Sequence, residues 1–109
     1  MPELPAYQDI RNHRTQVCVL RYLASECSDE PEMRAVLTEV SERVEYNGYE
    51  RFSLLFLVAD SGPPRQGMYA ITLPGAQAQD WFLVPIGRTG EGTVYEACFN
   101  RLAVAVESR

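Results

Sequence analysis

The chain has 109 residues, 46% of them hydrophobic, and 15 acidic against 10 basic side chains give it a net charge of −5. That length fits one domain, residues 1–109, with a core large enough to need no disulfide or metal staple. The acidic balance excludes a nucleic-acid binder, which needs clustered Lys and Arg against phosphate; all ten basic residues are arginine, scattered in a way that reads as codon usage in a GC-rich genome.

Residues 1–5 carry neither a basic region nor an apolar stretch, so they do not read as a signal peptide. They are expected to be loosely ordered, as are residues 101–109. Ala6 to His13 predicts a short helix entered through Pro5, with Tyr7 and Ile10 on one face. Alone it would be marginal, so it must dock on something. Thr15 to Leu23 is rich in β-branched and aromatic residues and predicts a strand. Ser25 to Glu32 is polar, acidic and broken by Pro31, a loop.

The next segment fits two periods. Met33, Val36, Leu37, Val40 and Val44 fall at helical spacing behind Asp29 and Pro31, whereas Val36, Val40 and Val44 also fit a period of two. A helix at about 30–46 would make the fold α+β. The segment runs into Asn47-Gly48, the strongest short hairpin signal, and then into the strand-like Arg51 to Ala59, which favours a strand. A two-residue turn at Asn47-Gly48 would set Glu45 directly opposite Glu50, so a looser loop is expected.

Ser61 to Gln66 breaks the chain, and Gly67 to Leu73 predicts the next strand, closed by Pro74-Gly75. Asp80 to Gly87 predicts another, with Pro85 confined to an edge or a bulge. Arg88 to Gly92 is a turn, and Thr93 to Asn100 gives the last clear strand, which restarts at Leu102. Six short strands separated by turns predict a mainly β domain, an antiparallel six-stranded up-and-down barrel or sandwich. The N-terminal helix is placed to plug one end.

No set of catalytic residues is recognisable. His13, the only histidine, is the one base available to a cysteine nucleophile. Cys98 lies between Ala97 and Phe99 in a strand and reads as packing, as do Cys18 and Cys27. Three cysteines and one histidine lack the close pairs of a zinc site. The thiols, odd in number and beside no leader, read as free in a reducing cytoplasm. Gly87 to Gly92 resembles a phosphate loop, yet it leads into a strand rather than a helix and carries Glu91, so it reads as a hairpin turn. The acids Glu26, Asp29, Glu30 and Glu32 lack calcium-loop spacing. Glu39 and Glu96, inside apolar strand patterns, take outward positions by alternation. No cofactor or metal is expected, and the longest apolar run, Leu54 to Ala59, is too short to span a bilayer.

The aromatics carry the functional expectation. Phe82 and Phe99 read as core. Trp81, Tyr69 and Arg65, the last in the rigid turn Pro63 to Gly67, are the candidate interaction residues; Trp81 is expected to point opposite to Phe82.

Four stretches taken together are similar to a family of small bacterial proteins of unknown function: Arg51 to Phe56 (RFSLLF), Gln66 to Tyr69 (QGMY), Phe82 to Gly87 (FLVPIG) and Tyr95 to Asn100 (YEACFN). The resemblance covers roughly Tyr7 to Asn100. It implies a single β-rich domain and, since some members are encoded beside phage-tail or tail-collar-like proteins, a neighbourhood; it carries over no catalytic residue. The expected function is therefore a non-enzymatic interaction or accessory structural domain, with another protein or a second copy as partner and neither nucleic acid nor membrane. The alternative expectation is a barrel that binds a small molecule in its mouth.

Overall fold

Alternation decides this fold, because a strand sends successive side chains to opposite faces. The computed structural model describes residues 7–23, 32–59 and 64–102. Expectations for residues 1–5, Glu26, Cys27, Asp29, Glu30, residues 61–63 and residues 103–109 lie outside the described residues. The elements are α1 (Tyr7–Arg11), β1 (Val17–Tyr22), β2 (Glu32–Val40), β3 (Val44–Tyr46), β4 (Tyr49–Val58), β5 (Gly67–Thr72), β6 (Gln79–Thr89) and β7 (Gly92–Leu102).

The strands lie in the order β2-β1-β5-β6-β7-β4-β3, and an additional pairing of β2 with β4 closes six of them into a barrel with β3 as an extra strand. Every pairing is antiparallel. The mainly β barrel with a short N-terminal helix is thus as expected, and the segment that also fitted a helix is strand.

The strand order is not up-and-down. β1, β2 and β4 form one meander and β5, β6 and β7 a second, joined through β1–β5 and β4–β7, so β4 and β5 follow each other in sequence without pairing. Periodicity reports which face a residue takes and says nothing of which strand is its neighbour.

Inward positions fill the interior. Leu54, Phe56 and Val58 of β4 meet Cys18, Leu20, Leu37, Tyr69, Ile71, Leu83, Tyr95 and Ala97 in one buried cluster. Pro85 has no N–H for the ladder, and the β6–β7 register shifts between Pro85 and Gly87, a bulge where the missing donor is tolerated.

The helix docks as expected. Ile10 is fully buried in the core, and the Tyr7 hydroxyl donates to the Ser41 carbonyl at 2.8 Å. Thr15 takes a left-handed conformation (φ 72°), and its N–H reaches the Leu37 carbonyl at 2.6 Å, tying the helix exit to β2.

Asn47 and Gly48 both have positive φ, 53° and 82°, and join β3 to β4 in a two-residue turn. Such a turn matches the strand twist. The looser loop expected here is corrected: Glu45 and Glu50 do face each other. What makes this tolerable lies in the next section.

Candidate interaction surface

β4 has two partners on one edge. β2 pairs with Leu54 to Val58, and β3 pairs with Tyr49 to Arg51. On its other edge β7 runs the full length, through Tyr49↔Leu102. β3, the first residues of β4 and the last of β7 therefore form a three-stranded arm beyond the point where β2 leaves β4. Arg101 and Leu102, expected in a loose tail, belong to this sheet.

The inner face of the arm is polar and closed. Glu50 is only 3% exposed. Arg43 donates from Nε to its Oε1 at 2.5 Å, and Arg101 from Nε to its Oε2 at 2.5 Å. Arg43 also reaches Glu45 at 3.5 Å, so one guanidinium bridges the two opposed glutamates. Burial alone would raise the Glu50 pKa, but the two arginines outweigh it and hold the carboxyl below its ordinary value. The Arg101 guanidinium lies over Phe52 (5.3 Å) and Phe99 (5.6 Å). Those rings stack at 4.9 Å, with Tyr7 edge-on to Phe52 and Trp81 edge-on to Phe99. An aromatic cluster under an ion cluster fixes the root of the arm to the barrel.

The outer face is different. Val44, Arg51 and Asn100 form one row across the three strands, and Tyr46, Tyr49 and Leu102 the next. Tyr46 is 71% exposed, Leu102 68%, Val44 53% and Tyr49 49%. A cleft of about 370 Å³ lies among Val44, Tyr46, Asn47, Tyr49, Arg51 and Asn100. Apolar and aromatic side chains gathered on one face with water on it mark a contact surface.

The expected interaction residues are not there. Tyr69 and Trp81 are interior, 1% and 4% exposed. They face each other across the β5–β6 ladder, and Tyr69 packs edge-on against Tyr22 and Tyr95. Arg65 is exposed as expected, but its guanidinium stacks on the Tyr22 ring at 4.0 Å and its carbonyl accepts from the Tyr69 hydroxyl at 2.6 Å. Trp81 and Phe82 do point in opposite directions, with Trp81 in and Phe82 out at 49% exposure. β6 is apolar on both faces, so its alternation gives no sign of which is the core side. Phe82 faces outward beside Met68, its cross-strand partner.

Cys98 is corrected too: it is exposed, since Tyr95 and Ala97 take the inward positions. Partial burial, and then the neighbouring Glu96 carboxylate, push its thiol pKa up, the reverse of an activated nucleophile. His13 bonds Gln16 at 2.9 Å and lines a different depression from Cys98. Cys18 is buried as expected, and burial raises its pKa to about 11. In a Cys27→Ser background, Ellman's reagent is therefore expected to find one reactive thiol in the native protein and two in denaturant. Two fast thiols without denaturant would show that β1 is not packed as described.

Among the described residues no cluster of three or more His, Cys, Asp or Glu is placed to hold a metal, and no helix is long and apolar enough to cross a membrane. Gly87 to Gly92 is a hairpin turn in which the Glu91 N–H bonds Thr89 Oγ1 at 3.0 Å. The barrel interior, where a small molecule was the alternative expectation, is occupied by side chains.

One family model matches residues 6–99, that of a domain of unknown function, DUF6916. No curated protein and no solved structure matches the chain.

Proposed function

Since the chain belongs to the DUF6916 family of domains of unknown function, we propose its role from geometry: a non-enzymatic protein-interaction domain whose contact surface is the outer face of the arm. The carrying observation is the exposure of Val44, Tyr46, Tyr49 and Leu102 on a face whose reverse side is locked by buried ions. A rigid arm presenting aromatic residues needs little ordering on binding, which favours affinity. The free thiols Cys18 and Cys98 support a reducing, cytoplasmic setting. In its finer form the reading is an accessory or structural subunit of a phage-tail-like assembly, supported by the likeness of its strand motifs to proteins encoded beside tail components.

The double variant Tyr46→Ser/Leu102→Ser tests it. Both side chains are exposed, so stability should move by less than about 1 kcal/mol. Retention of partners after crosslinking in the native host should fall by about tenfold or more, as for interface anchors. Identical sets of retained proteins from wild type and variant would reject the arm as the contact surface.

A further inference from the structure

We propose that the outer face of the arm takes a segment of a partner protein bearing an aspartate or glutamate between apolar residues, with that carboxylate on Arg51. This deepens the reading above and rests on it. The chain carries 15 acidic residues against 10 arginines, yet the cleft on this face is lined by no carboxylate. The arm's own acids, Glu45 and Glu50, lie on the opposite face, where Arg43 holds both. Of the three arginines on the arm, Arg43 and Arg101 are engaged by Glu50. Arg51 forms no ion pair among the described residues. It stands in the row Val44–Arg51–Asn100 beside the row Tyr46–Tyr49–Leu102.

That arrangement is a cation in an apolar frame, with the side-chain amides of Asn47 and Asn100 in the same cleft as further donors. A guanidinium pairs a carboxylate through two parallel N–H bonds, and the surrounding rings exclude water from the contact. A second copy fits poorly, because a two-fold contact about this face would bring Arg51 against Arg51 with no carboxylate between. Nucleic acid fits poorly as well, since one arginine on a chain of net charge −5 is a weak phosphate site.

The experiment pans a phage-displayed library of random dodecapeptides on wild type, on Arg51→Glu and on Tyr46→Ser/Leu102→Ser, each variant first checked for a native far-UV spectrum and unchanged unfolding midpoint. Peptides held by wild type and lost by the double variant are expected to be enriched about threefold or more in Asp and Glu beside apolar residues. Arg51→Glu is expected to select Lys and Arg instead, and to bind a synthetic wild-type-selected peptide about tenfold more weakly. Arm-dependent peptides without acidic enrichment, or with the same preference on Arg51→Glu, would overturn the acidic partner and leave the contact surface standing. A pool that ignores the double variant would overturn both. Arm-dependent retention of a dodecamer of deoxythymidylate in place of peptides would overturn the acidic partner in favour of nucleic acid.

Discussion

Glu50→Gln is expected to lower the unfolding free energy by about 3 kcal/mol and the midpoint temperature by about 10 °C or more. The substitution keeps the size of a side chain that is 3% exposed and removes only its charge. Two guanidinium groups, each 2.5 Å from a Glu50 oxygen, then face each other without a counter-ion. The loss sits at the low end of the range for broken buried pairs because Arg43 keeps 30% of its side chain in water and Arg101 16%. The cluster as a whole is a different matter. Replacing it together, as Glu50→Leu/Arg43→Met/Arg101→Met, is expected to cost little or nothing, since desolvating three charges offsets most of their attraction. Urea unfolding followed by circular dichroism separates the two cases. A Glu50→Gln protein within about 1 kcal/mol of wild type would mean that the ions do not hold the arm.

The same cluster gives a pH dependence with a definite sign. A carboxyl held below its unfolded value stabilises the fold above the ordinary glutamate range, and the contribution fades as pH falls through the lowered value. Wild type is therefore expected to lose stability more steeply below about pH 4.5 than Glu50→Gln does, because only wild type has this proton to take up. Parallel curves for the two proteins would remove Glu50 as the cause.

Where one face is polar the sequence could be read to the residue. β4 alternates cleanly through Phe52, Ser53 and Leu54, and β5, β6 and β7 begin and end within a few residues of their expected bounds. Pro85 named its own bulge, because a missing N–H is a local property. Three features were out of reach for three different reasons. β6 is apolar on both faces, so pattern could not say that Trp81 is core and Phe82 surface. Cys98 was placed inside on residue type, whereas position parity with Ala97 places it outside. The opposition of Glu45 and Glu50 argued against a tight turn only because its remedy, Arg101, is distant in sequence and no local rule brings it near. The contact surface was missed with it. Tyr46 and Tyr49 flank the Asn47-Gly48 signal in plain view, but their exposure depends on β2 leaving β4 before the arm begins. Had the tight turn been accepted, alternation from Glu50 would have put Tyr49 and Arg51 together on one face.

Glycine roles were equally hidden, and the second large effect lies there. Gly92→Ala is expected to cost about 4 kcal/mol, or to abolish soluble expression, while Gly90→Ala two residues away stays within about 0.5 kcal/mol of wild type. In sequence the two are members of one glycine-rich turn. In the fold Gly90 has an ordinary φ and open space where a Cβ would go. Gly92 has φ 148°, a conformation that L side chains rarely adopt, and its missing Cβ would overlap the Val58 carbonyl oxygen and lie 2.8 Å from the Ala59 Cα. Both obstacles are backbone at the end of β4, so no side-chain rotation relieves them. Thr93, the next residue, is the β7 partner of Val58, and Gly92 is the β7 partner of Thr89 in β6. The glycine therefore marks the place where three strands of the barrel converge, and a methyl group there must push β4 and β7 apart at the barrel end. Against a total stability of about 5–15 kcal/mol for a domain of this kind, that displacement is a large fraction of what keeps the chain folded. A Gly92→Ala protein with the same urea midpoint as Gly90→Ala would show that the strand ends can separate freely, and that barrel closure is looser here than the packing of β4 on β7 describes.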